Sequence, residues 1–275
     1  MPNIIEITDI YAKGPDVFSR LTGNQLESKQ HPENGLFITE SPDVIFAALD
    51  AGYEPVSALA ERKRLAALTD EQLERFGGIP IYTADAETLE GITGFRLTRG
   101  MLCAFRRRPL PGVNDVIAGA ERLAVLWDIV DQTNVGSIFR SAAALGADAV
   151  LLSPRCCSPL TRRASRVSMG TVFKVPFAVL PEGEPGEVFG LLHEQGFYTC
   201  ALALDKAALP IDSPELTGKS KLAAVLGTEG DGLPQEVISA CRSTVYIPMH
   251  NGVDSLNVGS AAAVAFWQLF GGGSK

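Results

Sequence analysis

The sequence predicts an α/β protein of two domains, in which the C-terminal domain is built on a mostly parallel sheet. Short apolar runs alternate with helical segments along most of the chain, a pattern typical of strands covered by helices on both faces. The length of 275 residues and a hydrophobic content of 46% allow two ordinary domains with separate cores.

Residues 1–110 are predicted to form the smaller, N-terminal α/β domain. Its strands are expected at residues 36–39, 56–59, 79–82 and 101–105. The helix after the first strand is signalled by Ser41, Pro42 and Asp43, which supply an N-cap residue, a proline at the first helical position and an acid in the first turn. Closely spaced prolines then break the pattern, and we therefore place a linker at residues 111–122.

Residues 123–275 are predicted to form the larger domain, where the alternation is clearer. Its strands are expected at residues 123–130, 149–152, within 172–179, and at 198–204, 222–226 and 244–247. One intervening helix should begin with Asn134 as its N-cap residue and end at Leu145, before Gly146. Because ligands of such sheets bind at the carboxyl ends of the strands, the residues that follow each strand are candidates for chemistry.

The composition argues against several classes of protein. The N-terminal sequence MPNIIEITDI carries acids and has no basic region before an apolar run, so no secretory signal is expected. The apolar stretch at residues 261–270 falls short of the ~20 residues that a membrane helix needs. Five cysteines without a C-x-x-C pattern and three scattered histidines favour reduced thiols and no structural metal. We therefore expect a cytoplasmic protein.

Positive charge is concentrated locally, although the net charge of the chain is −8. Residues 95–111 contain five arginines and no acid, and residues 155–174 contain four arginines and a lysine, again with no acid. Because phosphate binding depends on local positive density, these two arginine clusters could contact a nucleic acid. Each cluster taken alone is also compatible with an ordinary solvated surface.

Two segments that follow strands combine glycine with polar residues. The first is NVGSIFR, from Asn134 to Arg140, and an arginine near the start of a helix can hold phosphate bidentately. The second is GTEGDG, from Gly227 to Gly232, whose three glycines permit positive φ angles and close backbone approach. Its spacing matches neither the dinucleotide fingerprint nor the P-loop, which makes those interpretations weak.

A third segment follows the last predicted strand and leads into the C-terminal helix, expected at about residues 256–270. Ser255 or a neighbour can cap this helix. The small residues from Gly259 to Ala263 would let another backbone pack very close to it.

In this order and spacing, the three segments resemble the three motifs of the SpoU/TrmH family of RNA 2′-O-ribose methyltransferases, over about residues 123–270. The matching positions are Asn134, Gly136 and Arg140 in the first motif, Gly227, Glu229, Gly230 and Gly232 in the second, and Ile247, Ser255, Leu256 and Asn257 in the third. The third motif departs from the family pattern at Asn251, where a glycine is usual, and Gly259 replaces a small hydroxyl residue. The N-terminal region is similar to the ribosomal-protein-like substrate-binding domain found in part of this family.

The resemblance implies a parallel α/β sheet whose C-terminal segment forms a deep trefoil knot, which is an exception to the rule against knots. It implies a homodimer that binds S-adenosyl-L-methionine in the knot and transfers its methyl group to a ribose 2′-hydroxyl of rRNA or tRNA. The implied cofactor contacts are Gly227, Ile247 and Leu256. The implied catalytic positions are Arg140, Asn134, Glu229, Ser255 and Asn257. No metal is implied by this chemistry.

Three alternatives remain at this stage. The same knotted scaffold also serves enzymes that methylate a base, although the pairing of Asn134 with Arg140 favours ribose. The chain could also be an RNA-binding protein that has lost catalysis, although the polar motif residues are all present. An NAD-dependent dehydrogenase would need a glycine fingerprint after the first strand of the domain, and the sequence has none there.

Overall fold

The computed structural model of the chain describes residues 2–9, 11, 14–19, 35–205 and 207–271. The chain divides into two compact units. The first unit contains Met1–Pro109 and Leu160–Phe173, and the second contains Leu110–Pro159 and Lys174–Lys275. The predicted domains were uninterrupted, whereas the segment Leu160–Phe173 leaves the second unit and groups with the first. Residues 1 and 275, at the outer ends of the two predicted domains, lie outside the described residues. The same holds for His31, one of the three scattered histidines.

A five-stranded mixed sheet forms the centre of the first unit, with the order β1-β4-β3-β5-β2. Its strands are β1 (Asn3–Glu6), β2 (Leu36–Glu40), β3 (Pro55–Glu61), β4 (Pro80–Ala84) and β5 (Met101–Arg106). β4 pairs in parallel with β1 and β3, and β5 pairs antiparallel with β3 and β2. The four predicted strands are confirmed to within two residues. β1 was not predicted, because its four exposed residues on a sheet edge show no alternation of apolar and polar side chains.

The second unit contains a seven-stranded sheet with the order β10-β12-β9-β11-β6-β7-β8, in which every neighbouring pair is parallel. Its strands are β6 (Arg122–Leu126), β7 (Ala149–Leu152), β8 (Phe177–Val179), β9 (Tyr198–Leu202), β10 (Leu209–Pro210), β11 (Leu222–Leu226) and β12 (Ser243–Tyr246). This confirms the predicted parallel sheet. The predicted strand at residues 123–130 was too long, because Asp128 adopts a φ of 56° and the chain turns after Leu126.

Helices cover these sheets, and the three whose starts were predicted begin within three residues of the expected positions. In chain order over the described residues they are α1 (Pro42–Asp50), α2 (Arg62–Leu65), α3 (Asp70–Glu74), α4 (Ala86–Thr93), α5 (Val113–Ile117), α6 (Gln132–Leu145), α7 (Arg162–Val167), α8 (Pro185–Glu194), α9 (Pro214–Thr217), α10 (Gln235–Ala240) and α11 (Val258–Leu269). The helices α2, α7 and α9, of four to six residues each, were not predicted. No helix among the described residues could cross a membrane.

The N-cap of α6 corrects one prediction. Asp131, not Asn134, is the N-cap residue, and its side chain accepts a hydrogen bond from the backbone nitrogen of Asn134 at 2.9 Å. Both residue types are good caps, so the sequence did not distinguish between two candidates three residues apart. Asn134 therefore lies inside the first turn and is only 7% exposed. Gly146 ends the helix in the left-handed conformation, as predicted.

Candidate active site

A cleft of about 850 Å³ opens at the carboxyl ends of three neighbouring strands of the second unit. It is lined by residues 202–204 after β9, by residues 226–233 after β11 and by several residues within 245–258, at and after β12. This is the place where parallel α/β sheets bind their ligands, and the volume suits a small-molecule cofactor.

Six of the eight predicted site residues line this cleft. They are the three predicted cofactor contacts Gly227, Ile247 and Leu256 and three of the predicted catalytic positions, Glu229, Ser255 and Asn257. The cleft is also lined by Thr228, Met249 and Asp254, to which the sequence analysis gave no role. Their positions inside the second and third motifs were the only sequence signal for them.

Gly227 is required by a close backbone approach within the glycine-rich loop. A Cβ atom at this position would lie 2.5 Å from the carbonyl carbon and oxygen of Gly232, both of which are backbone atoms that cannot rotate away. The turn is closed by Thr228, whose backbone nitrogen donates to the Gly232 oxygen at 3.1 Å. The loop therefore folds back on itself and presents backbone groups to the cleft.

Asn257 connects the third motif to the other two. Its Nδ2 donates to Oδ1 of Asn134 at 3.1 Å and also to Oε1 of Glu229. Its Oδ1 accepts from the backbone nitrogens of Gly259 at 2.9 Å and Ser260 at 3.4 Å, so Asn257 is also the N-cap residue of α11. One side chain therefore holds together three of the predicted catalytic positions, which lie up to 123 residues apart in the sequence.

The close packing of α11 against α6 explains why Gly259 carries no side chain. A Cβ atom there would lie 2.6 Å from Oγ and 3.1 Å from Cβ of Ser137. The predicted close neighbour was a backbone, whereas the atoms next to Gly259 belong to the side chains of Ser137 and Asn257. The departure from the family pattern at Gly259 thus has a steric reason in this chain.

The entrance to α6 is fixed by a second set of hydrogen bonds, at the ends of β6 and β7. The backbone nitrogen of Asp128 donates to Oγ of Ser153 at 2.8 Å, and this hydroxyl donates to Oδ1 of Asp128 at 2.7 Å. Arg155 forms an ion pair with the same carboxylate. Burial raises the pKa of the neighbouring Cys156 thiol, although a hydrogen bond with Ser153 lowers it in part. These contacts position the loop that leads to Asn134.

Arg140 and Ser255 have no partners of this kind. Arg140 is exposed on α6 and does not line the cleft, and its side chain makes no hydrogen bond or ion pair with the residues that the structure describes. Ser255 is exposed at the rim of the cleft, and its side chain likewise makes no hydrogen bond within the described part of the chain. The structure thus joins Asn134, Glu229 and Asn257 directly and leaves Arg140 and Ser255 available to a ligand.

Residues 121–267 match the model of the SpoU rRNA Methylase family. The chain belongs to this family. The SpoU match covers more than half of the chain and contains all eight predicted site residues. An uncharacterized tRNA/rRNA methyltransferase of Mycobacterium bovis is 39% identical over 234 residues, which cover 85% of this chain and 80% of the relative.

Other SpoU-related proteins agree with this assignment. The 23S rRNA (guanosine-2′-O-)-methyltransferase RlmB of Acinetobacter baylyi is 31% identical, over 70% of this chain and 78% of that protein. The crystal structure of an AdoMet-bound rRNA methyltransferase from Sinorhizobium meliloti aligns with a TM-score of 0.78 over 99% of each chain, at 20% identity. At that identity the structural likeness shows that the fold is shared.

Proposed function

We propose that this protein transfers a methyl group from S-adenosylmethionine to a ribose 2′-hydroxyl of rRNA or tRNA. The observation that carries the proposal is the link from Asn257 to Asn134 and Glu229, which unites the three SpoU motifs at one edge of the cleft. The relative RlmB, whose name specifies transfer to a guanosine 2′-oxygen, supports ribose over base as the acceptor.

Gly227, Ile247 and Leu256 are proposed to hold the cofactor. Leu256 is an apolar side chain that is 39% exposed at the cleft, so a bound ligand would remove it from water. The glycine-rich loop offers unhindered backbone groups for hydrogen bonds to a nucleoside. We also propose that the C-terminal segment is knotted, as the resemblance implies. The position of β11 between β6 and β9, followed by the packing of α11 on α6, supports that topology.

When held by Gly227, Ile247 and Leu256, S-adenosylmethionine would supply an activated methyl group for the 2′-oxygen. The products would be the 2′-O-methyl group, S-adenosylhomocysteine and the hydroxyl proton, which would pass to water. A guanidinium group donates hydrogen bonds and accepts none, so Arg140 is not assigned the role of the base. Its proposed role is therefore to bind an RNA phosphate and to stabilise the negative charge that develops on the 2′-oxygen. The absence of an ion-pair partner for Arg140 among the described residues supports this role.

The variant Arg140→Ala tests the assignment. Turnover should fall by roughly 10²–10³-fold, which is typical when one stabilising donor is lost. Affinity for S-adenosylmethionine, measured by calorimetry, should remain within about twofold of wild type, a difference of about 0.4 kcal/mol. Arg242→Ala, which removes an exposed arginine of the same unit outside the cleft, is the matched control. Loss of cofactor binding in Arg140→Ala would contradict the proposed role.

The acceptor atom is decided by the modified nucleosides. Total RNA from cells with and without the gene, digested to nucleosides and analysed by mass spectrometry, should differ in one 2′-O-methylnucleoside. A difference in a base-methylated nucleoside would favour the alternative chemistry on the same scaffold. Cofactor binding without any difference in RNA would favour an inactive RNA-binding protein. Mapping of 2′-O-methyl positions would then identify the RNA and the nucleotide.

Three further properties are proposed with the function. The first unit is proposed to bind the substrate RNA.

The protein is proposed to be a homodimer, because Val264 and Trp267 lie three residues apart on one face of α11 and are 39% and 55% exposed. Sedimentation equilibrium should give the mass of two chains. The cytoplasm is the proposed location, because the five cysteines, all within the described residues, form no disulfide, as expected in a reducing compartment.

A further inference from the structure

We infer that a groove in the first unit, lined by Arg64, Arg99 and Arg166, binds the phosphate backbone of the substrate RNA. This inference rests on the proposed function and assigns it a second surface, within the first unit. The groove has a volume of about 640 Å³. It is lined by the start of α1, by residues after α2, by residues 98–99 and by the end of α7.

The groove combines the two arginine clusters of the sequence. Arg99 belongs to the cluster at residues 95–111 and Arg166 to the cluster at residues 155–174. They meet because the segment Leu160–Phe173 belongs to the first unit. Within that unit, α7 packs on β2, and the ring of Phe173 packs against Phe37, with 5.8 Å between ring centroids. Two clusters that could each be an ordinary solvated surface therefore become one positive surface.

A buried carboxylate holds the second cluster in place. The side chain of Glu40, at the end of β2, is only 3% exposed. Its two oxygens lie 3.3 and 3.4 Å from Nη1 of Arg166, and Oε2 lies 3.7 Å from Nη1 of Arg162. One carboxylate thus faces two guanidinium groups and leaves a net positive charge. Arg166 remains 43% exposed, so it can contact Glu40 and a phosphate together.

Arg64 and Arg99 have no such partner. Both are exposed, and neither forms an ion pair with any residue in the described ranges of the chain. Gly100 lies directly under Arg64, since a Cβ atom there would collide with the Arg64 side chain, so the stem of this arginine is held against the backbone. Among the described residues, Asp43 is the only acid that lines the groove, against three guanidinium groups.

The positive surface continues into a smaller neighbouring cavity. Arg64 and Thr98 line both cavities, and the smaller one adds Lys63 and Arg96. Its one acid, Glu61, is already paired with Lys63 at 2.8 Å. Several separate cations along an extended open surface suit the repeated charges of a polynucleotide backbone, whereas a single small anion needs one convergent set of donors.

The test is a salt titration of RNA binding by the full-length protein. The variant Arg64→Gln/Arg99→Gln removes two groove cations and leaves the Arg166–Glu40 pair intact. Arg62→Gln/Arg75→Gln is the matched control, because it removes two arginines of the same unit that are paired with Glu6 and Asp50 outside the groove. The probe is a fluorescent RNA hairpin, titrated over a series of KCl concentrations. Circular dichroism should show unchanged folding in both variants.

In the groove variant the slope of log Kd against log salt should fall by about two, because each lost phosphate contact removes about one unit. The control should keep the wild-type slope. An unchanged slope in the groove variant, or an equal change in the control, would overturn the inference and leave an acidic protein as the better occupant of the groove.

Two further measurements distinguish a failure of the groove to bind RNA from a failure of the proposed methyl transfer. Affinity for S-adenosylmethionine and single-turnover methylation of deproteinised total RNA from cells lacking the gene are measured on the same preparations. The groove variant should bind the cofactor like wild type and should recover the wild-type rate at saturating RNA. If wild type transfers no methyl group, the proposed function fails, while the difference in salt slope still decides whether the groove binds RNA.

Discussion

The cleft of the second unit and the groove of the first unit present their polar side chains in opposite ways. In the cleft, Asn257 is hydrogen-bonded to Asn134, to Glu229 and to the start of its own helix. In the groove, Arg64 and Arg99 have no carboxylate partner among the described residues. The polar side chains of the cleft are held by hydrogen bonds to one another. The groove instead presents several guanidinium groups that are exposed to solvent.

This difference separates two kinds of recognition. A reaction at one atom of a ribose needs groups that are already positioned, because reorganisation during the reaction costs rate. Binding along a polynucleotide tolerates mobile side chains, because the phosphate charges repeat and the attraction acts at longer range. We therefore expect a single substitution in the cleft to abolish function. Substitutions in the groove should weaken RNA binding in proportion to the number of positive charges removed.

Asn257→Ala should have the largest effect on stability, because it breaks the contact that joins the three motifs. Loss of the N-cap costs about 1 kcal/mol, and the buried carbonyl oxygen of Asn134 would lose its donor at a cost of about 1–3 kcal/mol. The free energy of unfolding, from urea titration, should fall by about 2–4 kcal/mol, and turnover should fall more than roughly tenfold. Asn114→Ala, at an exposed helical position, should change neither quantity. Wild-type turnover in Asn257→Ala would show that the link is dispensable.

Gly227→Ala should act more locally, on the glycine-rich loop. The added methyl group would meet the backbone of Gly232 and Leu233, so the loop must move at a cost of about 1–3 kcal/mol. Affinity for S-adenosylmethionine should fall by about tenfold or more, which corresponds to about 1.4 kcal/mol.

Gly190→Ala is the control for that substitution, because a Cβ atom there meets nothing within 4 Å and lies inside α8. It should leave cofactor affinity unchanged and slightly stabilise the helix. Equal cofactor affinity in the two variants would remove Gly227 from the proposed binding site.

Glu40→Gln tests the anchor of the groove with a smaller expected effect. The carboxylate is buried, but its two arginine partners are about 40% exposed. We therefore expect the free energy of unfolding to fall by about 1–3 kcal/mol, between the values for surface and buried ion pairs. Hydrogen exchange should accelerate in the segment Leu160–Phe173. Glu90→Gln, at an exposed position of α4 where no ion pair is formed with the described residues, should leave exchange unchanged. The same exchange rates in both variants would mean that aromatic packing alone holds the segment.

The sequence predicted the cleft better than the groove, for a physical reason. The cleft is built from residues that directly follow strands, and the parallel order of the strands brings those ends together. The groove depends on Glu40 and Arg166, which lie 126 residues apart and belong to no recognisable pattern. The arginine clusters contain no acid of their own in the sequence, and their acid partner Glu40 became visible only in the fold. The predicted ends of strands and the predicted helix caps differed from the observed ones by a few residues. One cause is a turn at Asp128, which ends the strand before the predicted residue 130.

The smallest expected effect concerns a titratable side chain in the second unit. His193 shares a hydrogen bond of 2.9 Å with Oγ1 of Thr199, and its pKa is lowered from 6.5, first by burial and then by the nearby positive charge of Arg242. The imidazole therefore takes up a proton at a higher pH in the unfolded chain than in the folded protein. The free energy of unfolding should be unaffected by His193 above pH 6.5 and should decrease as the pH drops below that value. His193→Gln should show a smaller loss of Tm between pH 8 and pH 5.5 than wild type, in thermal unfolding followed by circular dichroism. Arg242→Ala should keep most of the pH dependence, since burial is the larger cause. If His193→Gln lost as much Tm as wild type, acid sensitivity would arise elsewhere, and the hydrogen bond to Thr199 would not depend on the charge of the imidazole.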